Sequence, residues 1–165
     1  MHKIILMATT LTLALHAAAQ ETDQHFSHTL TTTASLESLW KVWTDVARWK
    51  DWDKGLREAT IKGPFEPGTK GKLIPDKGPK STFRITEVVV NQTYTFKTRI
   101  PFGWLVIKRM AKAEQGLTKF THEVQFTGPF SKYFGKKLGG RYRQMLPEVM
   151  QQVKSMAEQE ENKQP

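Results

Sequence analysis

One apolar stripe near the C-terminus constrains this chain more than any other feature. Phe134, Leu138, Tyr142, Met145, Leu146, Val149, Val153 and Met156 recur at helical spacing, so they line one face of a helix spanning about Ser131 to Ala157. At about 1.5 Å per residue that helix is roughly 30 to 40 Å long. It can cross several strands lying about 4.8 Å apart. A stripe of that length has to be buried, and the residues before it supply the surface.

Segments Ser81 to Val90, Tyr94 to Ile100, Leu105 to Ala113 and Thr118 to Phe126 are rich in β-branched and aromatic residues, the composition of strands. Asn91-Gln92, Pro101-Phe102-Gly103 and Gln115-Gly116 join them. Connections this short force antiparallel neighbours. Shorter strands are expected at Leu56 to Lys62 and Gly71 to Ile74, bounded by Gly63-Pro64 and Pro67-Gly68. Phe26 to Thr33 reads as a first strand. After it, Ser35 caps a helix with Leu36, Leu39, Trp40, Trp43 and Val46 on one face. Asp45 is placed to cap a second short turn carrying Trp49 and Trp52. Four of the five tryptophans fall between Trp40 and Trp52; Trp40 and Trp43 read as core, Trp49 and Trp52 as the rim of an entrance. Within the long helix, Gly139-Gly140 and Pro147 are weak points, and a kink is expected near Pro147.

The N-terminus has a separate logic. Lys3 precedes an apolar run from Ile4 to Leu15 and then Ala17-Ala18-Ala19, the pattern of a secretory leader cleaved after Ala19. The run is shorter than the roughly 20 residues that span a bilayer. Residues 1–19 are therefore read as a signal peptide, 20–160 as a single domain and 161–165 as a frayed tail, with a periplasmic or secreted location. The chain has no cysteine, so it has neither a disulfide framework nor a thiolate metal site. The formal net charge is +9, and +8 once Lys3 is removed. Much of the charge is dispersed and reads as a solvated surface, and the denser group at Lys132, Lys136, Lys137, Arg141 and Arg143 reads either as more of that surface or as a weak contact with anionic membrane or an acidic partner. Export and the lack of a recognition motif argue against nucleic acid.

Ala34-Ser35-Leu36-Glu37-Ser38-Leu39-Trp40, Thr44-Asp45 with Trp49 and Trp52, Ile85-Thr86-Glu87-Val88, Gly116-Leu117-Thr118 and the run from His122 to Pro129 resemble the helix-grip superfamily. That superfamily includes the birch pollen allergen, START lipid-transfer domains and polyketide cyclase/dehydrase-like proteins. The resemblance implies an α+β fold. A curved antiparallel sheet of six to seven strands carries two short helices after the first strand, and the long C-terminal helix lies over its concave face. A hydrophobic cavity is implied between helix and sheet. Relatives bind lipids or transform polyketides, so the resemblance leaves the activity open.

Strand alternation places Tyr94, Phe96, Thr98 and Ile100 on one face and Phe120, His122, Val124 and Phe126 on another inward face. If the turn at Gln115-Gly116 pairs Ala113 with Thr118, Arg109 lies opposite His122; a one-residue slip brings Lys108 inward instead. Either register sets a basic side chain beside the histidine. Either the basic side chain snorkels out at a strand end and His122 is a satisfied core histidine, or, since an unpaired charge in an apolar interior is costly, an acidic partner, water or the head of an anionic ligand is expected there. Candidate ligand-binding residues are Trp52, Tyr94, Phe96, Thr98, Arg109, Phe120, His122, Phe126, Met145 and Val149. His25 and His28, three apart on a strand, point to opposite faces and make a poor metal pair. No metal site, cofactor loop or nucleophile motif is present, and Asp53 and Glu58 read as surface charges. The leading expectation is an exported binding protein for a hydrophobic or amphipathic small molecule, such as a lipid or aromatic acid. The alternatives are a metal-free cyclase/dehydrase-type enzyme using His122 as acid/base, and a membrane-surface or protein-interaction module.

Overall fold

A computed structural model of the chain describes residues 21–163; the expected leader lies outside them. Seven strands form one antiparallel sheet: β1 (His25–Thr32), β2 (Leu56–Ile61), β3 (Lys70–Pro75), β4 (Ser81–Val89), β5 (Thr93–Ile100), β6 (Gly103–Glu114) and β7 (Leu117–Thr127). Their order is β1-β7-β6-β5-β4-β3-β2. The first two strands in sequence are thus the two edges of the sheet. The connection between them has to cross from one edge to the other, and it does so through α1 (Leu36–Thr44), a 3-10 turn (Val46–Arg48) and α2 (Trp49–Trp52). This crossing carries the tryptophans into the interior.

Ser35 caps α1 as expected, its Oγ accepting from the Ser38 amide at 3.1 Å. Asp45 does not cap the next turn with its side chain; only its carbonyl serves, accepting from the Arg48 amide at 3.0 Å. Trp43 is core as expected, 1 % exposed, but the other three tryptophans of the group depart from expectation. Trp49 and Trp52 are 1 % and 0 % exposed, not at a rim, while Trp40 is half-buried with its ring edge-on to Phe65 and Tyr94. Trp49 gains its depth by donating from Nε1 to the Trp43 carbonyl at 2.9 Å.

The C-terminal helix begins as α3 (Ser131–Phe134), widens to a π turn at Gly135–Gly139 and continues as α4 (Gly140–Glu161). It remains helical through Pro147; the departure from α geometry lies about two to three turns earlier. The reason is a close approach by the N-terminal strand lead-in. A Cβ on Gly135 or Gly139 would come within 2.8 or 2.4 Å of the Asp23 carbonyl oxygen, so only glycine lets the two backbones meet. Leu146, Val149, Met150, Val153 and Ala157 are the buried face of α4, facing Phe26, Phe120, Val124 and Phe126 in one continuous core.

The last turn is anchored rather than frayed at Glu161. Its Oε2 accepts from the Ser35 hydroxyl at 2.5 Å and the Ser35 amide at 2.9 Å, and the neighbouring Glu158 accepts from the Thr32 hydroxyl at 2.9 Å. The hydrogen bonds from Ser35, with a further one from Ser38, hold the Glu161 carboxyl down at about 2. A carboxylate depressed in the folded state contributes stability that is present above its unfolded value, 4.5, and is lost as pH falls through the folded one. Glu161→Gln should therefore lower the melting temperature at neutral pH. In thermal melts followed by circular dichroism, the gap to wild type should close as the pH approaches about 2.

Candidate functional site

Register alone assembles the centre of the molecule. His28 on β1 lies opposite His122 on β7, His122 opposite Arg109 on β6, and Arg109 opposite Tyr94 on β5. Directly opposed residues share a face, so a polar row runs across an otherwise apolar concave floor beneath α4. The expected pairing of Ala113 with Thr118 is observed, which resolves the two sequence alternatives in favour of Arg109. Lys108 faces out, 3.4 Å from Glu87.

Arg109 is 3 % exposed. Its Nη1 donates to the Tyr94 hydroxyl, and its Nε donates to His122 Nδ1 at 3.4 Å. The guanidinium carbon lies 4.7 Å from the ring centre of Trp52, 5.4 Å from those of Trp49 and Tyr94, and 5.9 Å from that of Phe96. Among the described residues no carboxylate forms an ion pair with it. A desolvated cation over an aromatic face gains about 2 kcal/mol or more, and a hydrogen bond to a charged group about 1.5–3. Burying the ion costs several kcal/mol even after relaxation. The rings and two hydrogen bonds offset much of that cost without supplying a counter-charge.

The surrounding titratable groups respond in consistent directions. Burial, reinforced by the Arg109 charge, holds His122 well below its usual 6.5. The ring is neutral at physiological pH. Because Nδ1 accepts from Arg109, its proton resides on Nε2, which has no partner among the described residues. Burial raises Tyr94 against the opposing effect of Arg109, keeping it a phenol. Asp53 is half-buried rather than a surface charge. Burial raises its carboxyl, while a 2.9 Å hydrogen bond from the Gly55 amide and the Arg109 charge pull it back down.

The sequence-selected residues do converge, as core. Trp52, Tyr94, Phe96, Thr98, Phe120, His122, Phe126 and Val149 are all buried with Arg109, and Met145 is half-buried. Where an open cavity is expected between helix and sheet, aromatic side chains form a cluster of buried rings. Trp49 lies against Phe83, Phe96 and Trp52 at 5.4, 5.4 and 5.9 Å, and Trp43 against Tyr94 and Phe120 at 5.9 and 6.3 Å. A cavity of about 80 Å³ lies elsewhere, between α1 and the end of α4, lined by Lys41, Val42, Asp45, Arg48, Met156 and Glu160. Ligand pockets usually measure about 300–1,000 Å³, so it is too small to hold a lipid. Two interior polar atoms, Trp52 Nε1 and Thr98 Oγ1, are buried without a hydrogen-bond partner. Sequence reasoning missed His28, which enters the row only through the pairing of distant strands, and Asp53. The Asp53-Lys54-Gly55 turn after Trp52 was the available hint for the latter. No group of His, Cys, Asp or Glu among the described residues could hold a metal.

Residues 23–154 match the family model described as polyketide cyclase / dehydrase and lipid transport. The chain belongs to this family. No curated protein matches it in sequence. Among solved structures, MLL2253 from Mesorhizobium loti aligns with a TM-score of 0.67 at 13 % identity, over 82 % of this chain and 98 % of that one. Ara h 8.0201 aligns at 0.59 and 17 %, over 79 % and 97 %. StfQ, a di-domain ARO/CYC from the steffimycin biosynthetic pathway, aligns at 0.64 and 9 %, over 83 % of this chain and 52 % of its own. At these identities the likeness is one of fold, and it makes this family member a helix-grip protein.

The Arg109–His122 geometry is open to direct measurement. In long-range 1H–15N spectra at pH 6, His122 should show a neutral ring protonated at Nε2; an imidazolium there would contradict the arrangement. Since the unfolded chain takes up that proton near 6.5 and the folded one does not, stability should fall as the pH drops below that value.

Proposed function

We propose that this protein binds an amphipathic small molecule whose acidic head, a carboxylate or similar anion, is received by Arg109, and that it does so outside the cytoplasm after loss of residues 1–19. The observation that carries the reading is the buried guanidinium, which forms no ion pair with a carboxylate among the described residues; Asp53 feels its charge only from beyond ion-pair range. An arriving anion would supply the missing counter-charge in a setting where charge-assisted hydrogen bonds are strong. The apolar part of the guest would lie among Trp52, Phe96, Phe120, Phe126 and Val149, in keeping with a family described as cyclase, dehydrase and lipid transport. The export step rests on the leader pattern of the sequence.

The interior is closed as it stands, so entry needs a side chain to move. Met145 on α4 sits against Gly55, where an added Cβ would meet its terminal methyl at 2.9 Å and Asp53 Oδ1 at 3.0 Å. Met145 and Asp53 are the half-buried members of the site, and an unbranched thioether changes rotamer easily. We place the entrance there. The enzyme alternative meets a chemical difficulty: His122 is neutral and its Nδ1 is occupied by Arg109, so the ring offers a hydrogen-bond donor at Nε2 but neither a free base nor a ready acid.

Binding of cis-parinaric acid and of its methyl ester, followed by energy transfer from the tryptophans, tests the proposal. The acid should bind at least tenfold more tightly than the ester, about 1.4 kcal/mol. Arg109→Met should erase that preference while the protein stays folded, since removing a buried unpaired charge offsets the hydrogen bonds lost with it. Equal binding of acid and ester by wild type, or binding of neither, would refute the reading.

A further inference from the structure

One end of the sheet presents a surface that the interior site does not use. The β5–β6 hairpin and the loop leaving β7 are locked together there. A Cβ on Gly103 would fall 1.9 Å from the Thr127 carbonyl oxygen, and one on Gly128 would fall 2.3 Å from the Phe102 carbonyl oxygen. Phe102 projects from the hairpin 73 % exposed, and Phe130 projects from the adjoining loop 49 % exposed. Their ring centres are 5.2 Å apart. Tyr133, 55 % exposed, follows one turn into α3.

The Phe102 backbone makes this placement informative. Its φ is +58°, the left-handed region that a bulky side chain rarely adopts. The other two tight hairpin tips meet the same demand with polar residues, Asn91 at +59° and Gln115 at +53°. Asn or Gly would serve the turn at residue 102 with less strain. The phenylalanine therefore owes its place to something other than the turn, and strain of this kind concentrates where a surface has work to do.

Charge defines the partner. The two segments that build this end, 97–104 and 127–141, contain Lys97, Arg99, Lys132, Lys136, Lys137 and Arg141 and no acidic residue. Lys97 and Arg99 lie over the Trp104 ring at 4.5 and 4.8 Å, and Lys137 donates to the Tyr133 hydroxyl at 3.3 Å. Arg143, assigned to the basic cluster from sequence, stands apart: it donates to the Thr22 carbonyl at 2.6 Å, lies 3.6 Å from Asp23 and covers the Phe26 ring. A pair of adjacent exposed aromatic rings on segments whose only charged residues are basic matches a surface with an apolar interior and anionic headgroups. We propose that this end docks on anionic lipid bilayers, with Phe102 and Phe130 inserted at the headgroup level and Lys132, Lys136, Lys137 and Arg99 on the phosphates.

The test is co-sedimentation with vesicles of phosphatidylcholine alone and of phosphatidylcholine mixed with phosphatidylglycerol. Wild type should bind the anionic vesicles, release them as salt is raised, and leave the neutral ones largely unbound. Phe102→Gly with Phe130→Ser should weaken binding about tenfold or more, and Lys132→Glu with Lys136→Glu and Lys137→Glu should lose roughly fivefold or more per residue. The single variant Phe102→Gly should melt no lower than wild type, separating loss of the ring from loss of the fold. Affinity for cis-parinaric acid should be unchanged in every variant. Failure to bind anionic vesicles at low salt would overturn the proposal. So would phenylalanine variants that bind as wild type, which would leave a purely electrostatic surface of the kind an acidic protein would also meet.

Discussion

A guanidinium that cannot lose its charge sits at the middle of this fold, and most of the interior is arranged around it. Arginine is charged at every accessible pH, so the chain cannot neutralise Arg109 as it neutralises His122. What remains is to surround it. Rings from α2 and β5 present their faces to the cation, and one hydroxyl and one imidazole nitrogen accept hydrogen bonds from it. The edge-to-edge crossing of the helices between β1 and β2 delivers the rings that β5 alone could not provide.

This requirement also accounts for the crowding beneath α4. Trp43, Trp49, Trp52 and Phe120 are shut off from bulk solvent and pack ring against ring in this interior. In so buried a setting the electrostatic gain from an added anion is large, because the local dielectric is low. The features that close the site are thus the ones that would make an acidic guest effective once inside. Trp52 Nε1 and Thr98 Oγ1, unpartnered in the same interior, add polar groups for such a guest to satisfy.

Much of this was legible from local pattern. Strand alternation identified the inward residues of β5 and β7, and turn arithmetic at Gln115-Gly116 set Arg109 against His122, because a tight hairpin leaves few registers to choose from. Long-range facts were not legible. His28 joins the row only because β1, distant in sequence, pairs with β7. The depth of Trp49 and Trp52 depends on where the crossing connection lands, which spacing does not encode. Pro147 suggested a kink, yet the helix yields at Gly135–Gly139 because tertiary contact with Asp23 acts there, and propensity is a weaker influence than packing. The open cavity was inferred from the fold's architecture, but side-chain volume decides how much of such a space is empty, and nine aromatic side chains are buried among the described residues.

The anchoring of the long helix bears on how a closed interior could admit anything. At its C-terminal end, Glu158 and Glu161 hold it to Thr32 and Ser35. At its N-terminal end, Gly135 and Gly139 are seated against the Asp23 carbonyl, and Ser131 Oγ reaches Gln24 Oε1 at 3.0 Å. Lifting α4 as a rigid body would break both attachments and expose the Leu146–Val153 face together, at about 25 cal/mol for each Å² of apolar surface. Turning Met145 away from Gly55 breaks neither and exposes little. A helix pinned at both ends favours the smaller motion, so under the proposed binding of an acidic guest access would be controlled by the Asp53–Gly55 turn and one flexible side chain rather than by the helix as a lid.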